Sequence, residues 1–195
     1  HQHGEGAVPE ATVDLLALTK RHPLLKDGGG IRPVAGGECL RDLTARALVR
    51  EHKETPVAAV RGHQYGAGRP AGAETLVHAV QVVSEARPDH AWVQLDVANA
   101  FPGVSRRAVL ETVEEYAPAL LPLAEAFLRR ASTFVFQGAG SKGEVLEATH
   151  GVEQGDDLGP LLFAVAFRKT VEALRAALVT ALVEEHGFTP QAAEA

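Results

Sequence analysis

AWVQLDVANAFPGVSRRAVLETV, residues 91–113, is the stretch on which the reading of the chain turns. Apolar positions at Val93, Leu95 and Val97 predict a strand over residues 91–97. Asp96 stands near its end, ahead of a turn and an aromatic, so its carboxylate is expected in a cleft where loops meet. That position suits a hard divalent cation such as Mg²⁺, which prefers oxygen ligands. On these residues alone, an Asp that caps the turn is the simpler account. Ser105 is the expected N-cap of a helix over SRRAVLETVEEYA, and a second helix is predicted across LLPLAEAFLRRA.

Upstream, residues 9–20 have helical spacing and KDGGG is a turn. IRPVA is extended, because Pro33 drives Arg32 away from helical angles. CLRDLTARALVREH predicts an amphipathic helix with Leu40, Leu43, Ala47 and Leu48 inside and its basic residues outside. RGHQYGAGRPAG is a glycine-rich loop opening into the helix AETLVHAVQVVSEA, which ends before Pro88. Downstream, STFVFQ and EVLEATH flank GAGSKG as a β-hairpin. After the loop GVEQGDD, a long helix runs from about Leu158 to Glu185. The order is mixed, without repeats, linkers or strict βαβ alternation, which predicts one compact α+β unit.

Composition agrees with a globular chain: 195 residues, 46% hydrophobic and 23% charged. No apolar run is long enough for a membrane span, and the start has no signal-peptide layout. With the single Cys39, which can close no internal disulfide, this points to an intracellular protein, in cytoplasm or nucleus. No Met occurs anywhere, so the chain reads as a piece of a longer polypeptide. Charge is uneven. Residues 20–70 hold ten Lys and Arg against five Asp and Glu, a local +5 that leaves −11 for the rest of a chain totalling −6. Such a basic lobe suits a polyanionic partner, although an ordinary solvated helix face explains it as well.

Several motifs carry no chemistry. Gly138, Gly140 and Gly143 match G-x-G-x-x-G, but between two strands rather than before a helix, so a dinucleotide site is rejected. His1 and His3 sit at a ragged end, and no histidine spacing or Cys partner supports zinc. Ser105 and Ser141 lack the surroundings of a hydrolase nucleophile.

Four blocks taken in order change the weight given to Asp96: IRPVAGGECLRDLTARAL, QYGAGRPAGAETLVHAV, QLDVANAFPGVSRRAVLETV and THGVEQGDDLGPLLFAVAF. Together, over about residues 18–175, they resemble the reverse transcriptase domain of retroelements of the non-LTR type. The resemblance implies the fingers and partial palm of a right-hand polymerase, an α+β fold with an incomplete antiparallel palm sheet. It divides the chain into an N-terminal helix region (1–19), a fingers-like part (20–90) and a partial palm (91–195). It implies RNA-templated DNA synthesis by a two-metal mechanism using Mg²⁺ or Mn²⁺, with an RNA template, a DNA primer and deoxynucleoside triphosphates as partners.

By the same resemblance, Asp96 is a catalytic metal ligand and the carbonyl of Val97 completes its shell. Phe101 is the ring that leaves no room for a 2′-hydroxyl, with a plain core Phe as the alternative. Gln154 and Gly155, in the block Gly151–Asp156, lie near the incoming nucleotide. Asp157 replaces the first proline that usually follows that block. Arg32 matches the finger arginine on the triphosphate and Lys26, more loosely, the finger lysine, for which an exposed loop charge is the alternative. Gln64, Gly66 and Arg69 resemble the loop beside the template.

The family's second metal element, an Asp-Asp hairpin, is expected after the long helix, yet no Asp follows Asp157. Neighbouring Asp156 and Asp157 are not expected to substitute for it. The chain therefore reads as a fragment lacking the C-terminal palm and thumb, inactive alone. Two further readings stand beside it: a catalytically dead remnant that at most binds template–primer, and an unrelated α+β interaction domain.

Overall fold

Local sequence explains most of the elements in the computed structural model, which describes residues 9–136, 142–189 and 191. Helix α1 (Glu10–Ala17) gives way to a hairpin of β1 (Thr19–Leu25) and β2 (Ile31–Gly36), closed by the expected glycine turn. There the Lys26 amide donates to the Gly30 carbonyl at 2.7 Å. Sequence periodicity does not announce β1, because TKRHPLL mixes charge with Pro23 and has no clean alternation. Its Pro23 is tolerated because pairing with the third strand covers only Thr19–Arg21, so the missing N–H interrupts no ladder on that side.

Helix α2 (Cys39–His52) follows, then α3 (Glu54–Ala59), α4 (Gly72–Ala86), the single turn α5 (Ala100–Gly103), α6 (Arg106–Tyr116) and α7 (Leu121–Leu128). Ser105 caps α6 as expected, its hydroxyl accepting from the Ala108 amide at 3.4 Å. β3 (Ser132–Phe136) and β4 (Glu144–Ala148) form the predicted hairpin, although residues 137–141 at its tip, with Gly138, Gly140 and Ser141, lie outside the described residues, as do His1 and His3. The long helix α8 (Gly159–Glu184) closes the fold.

The sheet differs from the expected one. Its order is β2-β1-β3-β4, with β1 and β3 parallel and both outer pairs antiparallel, so it is a mixed sheet rather than an antiparallel palm sheet. Residues 91–97 are not part of it. That segment is exposed, with Val93 81% and Leu95 67% accessible, and is not a strand. A strand needs a hydrogen-bonded neighbour for its backbone, and among the described residues none lies beside it.

The core lies where α2, α6, α7 and α8 meet. Val109, Val113 and Leu120 have no exposed surface, and burial of each is worth roughly 1.5–3 kcal/mol. Val152 and Leu158 belong to the same cluster, so both ends of the loop before α8 are rooted in it. On α2 the expected inward face is reversed in part. Leu40 and Leu43 are 62% and 65% exposed, whereas Arg41 is buried. The cause is a distant carboxylate, that of Asp156. Among the described residues no helix is long and apolar enough to cross a membrane.

Candidate functional site

Glycine at two positions lets the loop Gly151–Leu158 dock between the hairpin and the turn after Asp96. Gly151 has φ +82°, and a Cβ there would lie 2.4 Å from the Pro102 carbonyl oxygen. Its amide donates to the Val104 carbonyl at 2.8 Å, and Val152 N–H to the Phe101 carbonyl at 3.0 Å. Gly155 has φ +110°, and a Cβ there would meet the Ala35 carbonyl oxygen at 2.4 Å. On the same edge of β2, the Ala35 amide donates to the Gln154 carbonyl at 2.7 Å. Three segments far apart in sequence are thereby held together.

Charges reinforce this docking. Arg41 pairs with the Asp156 carboxylate, whose other oxygen accepts from the Leu158 amide at 2.8 Å at the mouth of α8. That pairing explains why α2 buries an arginine and leaves leucines outside. Arg46, one turn further along α2, pairs with Asp157, so the residue in place of the usual proline has a partner of its own. Hydrogen bonding to Asp157 holds the Arg46 guanidinium above its ordinary range.

Asp42, half-buried beside this group, behaves in the opposite way. Burial first, then the Asp156 carboxylate, push its carboxyl above the ordinary 3.8, against the pull of Arg41. Its Oδ1 is buried without a hydrogen-bond partner among the described residues. A carboxyl raised by folding is penalised once ionised, so the penalty is absent below the unfolded pKa and complete above the folded one. Asp42→Asn is therefore expected to raise Tm at neutral pH, and the gain should vanish as pH falls below about 4. A Tm difference that stayed constant across this range would contradict the assignment.

The docked loop gathers three of the sequence-predicted residues around one cavity. Lys26, Arg32 and Gln154 line a space of about 490 Å³ together with Ile31, Pro33, Asn99, Pro102 and Gly103. Gln154 Oε1 is buried and meets no hydrogen-bond donor among the described residues. Gly155 contributes its missing side chain rather than a contact. Asn99 is a lining residue that motif reading missed. Its left-handed backbone (φ +51°) is the available signal, since a non-glycine residue held there often sits at a site.

The remaining predicted residues lie elsewhere. Phe101 stacks on Phe163 at 4.9 Å and lines a second cavity of about 260 Å³ with Gln64 and Gly66. The Gln64 side chain accepts from the Ala67 amide at 3.0 Å and so ties its own loop. Arg69 lies 4.5 Å over the Tyr65 ring and lines an adjoining cavity with Arg61. Asp96 and Val97 are exposed on the unpaired segment, and Asp96 makes no hydrogen bond or ion pair among the described residues. No group of three or more His, Cys, Asp or Glu placed for a metal occurs among them. The donors of a two-cation centre are therefore not assembled among the described residues, and a single exposed carboxylate does not fit one.

No protein-family model matches the chain. Over 167 residues, 82% of its length, it is 29% identical to the retrotransposable element SLACS 132 kDa protein of Trypanosoma brucei gambiense. The chain spans 13% of that protein. In three dimensions it is similar to apo telomerase from Candida tropicalis truncated from its C-terminal domain, with a TM-score of 0.56 at 11% identity. That likeness covers 84% of the chain and 40% of the telomerase chain, and it is a likeness of fold.

Proposed function

We propose that the chain forms the fingers and part of the palm of a reverse-transcriptase-like polymerase of retroelement type, and that it holds the incoming deoxynucleoside triphosphate and the template–primer. The carrying observation is the cavity that Lys26, Arg32 and Gln154 share. A triphosphate is polyanionic, and two cations on a rigid hairpin turn and strand would hold it. Gln154 lines the same cavity from a loop whose backbone is tied at both ends. The fold likeness to telomerase and the sequence match to a retroelement protein support the same reading.

Within this reading Phe101 limits the sugar. Its backbone carbonyl accepts from Val152 N–H, and its ring is held by stacking on Phe163. Gln64, Gly66 and Arg69 face the template side. No step is assigned to a metal ion, because Asp96 alone does not fit a two-cation centre. Because Asp96 stands alone and exposed, a second reading has specific support: a module that binds template–primer without catalysis.

Binding tests both readings. Lys26→Ala with Arg32→Ala should weaken binding of a deoxynucleoside triphosphate by about tenfold or more, the scale of lost charge-assisted contacts. Affinity for a primer–template duplex should fall steeply with salt, because phosphate contacts release counterions. A flat salt response, or triphosphate affinity indifferent to both substitutions, would overturn the proposal. Neither reading expects the chain alone to extend a primer, and extension above an Asp96→Asn control would overturn both the binding module and the expectation that the chain is inactive alone.

A further inference from the structure

We infer that Arg21, Arg41 and Arg106 are positioning residues that aim the Gln154 turn at its cavity, a role that rests on the nucleotide-binding reading above. Each comes from a different element, and each grips a different point of residues 151–156. Arg106, opening α6, donates from Nε to the Gly151 carbonyl at 3.0 Å and from Nη2 to Ser132 Oγ at 2.9 Å. Its Nη1 donates to the Arg130 carbonyl, so each of its three nitrogens is engaged. Arg21, in β1, reaches both carboxylate oxygens of Glu153 at 2.9 and 3.0 Å and lies 3.8 Å over the Phe134 ring. Arg41 holds Asp156 and lies 4.3 Å over Phe127.

The register makes this more than a set of contacts. Arg21 stands opposite Ala35 in the β1–β2 ladder, and Ala35 is the residue whose amide holds the Gln154 carbonyl. Glu153 is thus tied to β1 and Gln154 to the adjacent strand at the same rung. Asp156, two residues on, is tied to α2.

Arg41, Arg106 and Glu153 are each only 6% exposed. A buried ion pair is seldom more stable than apolar side chains of the same volume, so stability gives little reason for the Arg21–Glu153 and Arg41–Asp156 pairs. What a guanidinium adds is direction, because its N–H groups point along fixed lines: Arg106 donates from all three nitrogens, and Arg21 and Arg41 each reach a carboxylate from Nη2. Apolar packing would fill the same space and leave the turn free to tilt.

Replacing Arg21 and Glu153 together by Met and Leu (R21M/E153L) separates direction from packing. Three readouts serve: cooperative thermal unfolding, hydrogen exchange at the Ala35 and Val152 amides, and affinity for dTTP with Mg²⁺. The double variant should melt cooperatively, while Ala35 exchanges at least about tenfold faster and dTTP binds about tenfold more weakly, the scale of one lost oriented contact. Arg106→Lys keeps the charge and loses the fork, and should shift exchange and affinity in the same direction.

Unchanged exchange and affinity in a cooperatively folded R21M/E153L would show that packing alone sets the turn, and the inference would fail. Should that variant not fold, Glu153→Gln and Arg106→Lys decide by the same readouts. Arg32→Ala distinguishes the two levels. If it leaves dTTP affinity unchanged, or the parent chain binds no dTTP, the nucleotide-binding reading fails, and with it the purpose assigned to the cradle. Exchange at Ala35 then still shows whether the arginines hold the turn.

Discussion

Gly155→Ala is expected to detach the Gln154 loop from the hairpin. At φ +110° an alanine is strained whatever space surrounds it, and here its Cβ would also meet the Ala35 carbonyl oxygen at 2.4 Å. Backbone strain of this kind costs of order 1–3 kcal/mol, and relieving the contact means giving up the Ala35–Gln154 hydrogen bond as well. Both losses fall on the segment that brings Gln154 to Lys26 and Arg32. The expected result is a lower Tm together with triphosphate affinity reduced at least about tenfold, since the cavity loses one wall. Gly28→Ala in the hairpin turn is the control: its added Cβ meets nothing within 4 Å, and both quantities should stay near their parent values. A Gly155→Ala protein that melted and bound like the parent would mean that the loop does not dock on β2 in solution.

What the sequence disclosed, and what it withheld, follows a physical division. Helix α2 was legible to its ends, because a 3.6-residue pattern is local and self-contained. The hairpin of β3 and β4 was legible for a similar reason, with two short apolar runs around a glycine-rich turn. Lys26, Arg32 and Gln154 came from family motifs, and the fold brings them to one cavity.

Arg41 shows where local reading stops. Helical periodicity places apolar side chains inward by default. It cannot register a carboxylate 115 positions away whose pairing turns the helix so that an arginine is buried. Arg21, Arg106 and Glu153 were missed on the same grounds, since each looks like an ordinary surface charge until its partner is known. Residues 91–97 failed in the opposite sense. Their alternation is a real strand signal, but alternation specifies a face and supplies no hydrogen-bonding neighbour. That segment and the exposed apolar face of α4, with Leu76, Val77 and Val80, are places where this chain leaves hydrophobic surface uncovered.

Two leucines tell the reversed face of α2 apart from the one that periodicity predicts. Leu158 is 3% exposed and belongs to the core cluster where the site loop enters α8, so Leu158→Ala should cost about 2–5 kcal/mol and lower Tm by many degrees. Leu43 is 65% exposed, and Leu43→Ala should lie within about 0.5 kcal/mol of the parent, as surface substitutions do. Had the leucines of α2 faced inward, as the helical pattern alone predicts, the Leu43 variant would lose stability on the same scale as Leu158. Chemical denaturation of the two proteins side by side therefore tests the burial of Arg41 without touching it. Leu158 also follows Asp156 by two residues and donates its amide to that carboxylate, so loosening its side chain in the core loosens the end of the loop that Arg41 holds. The Leu158→Ala protein should consequently lose triphosphate affinity along with stability, whereas Leu43→Ala should change neither. A Leu43→Ala protein as unstable as Leu158→Ala would return the leucine to the core, and the pairing with Asp156 would no longer account for which face of α2 is buried.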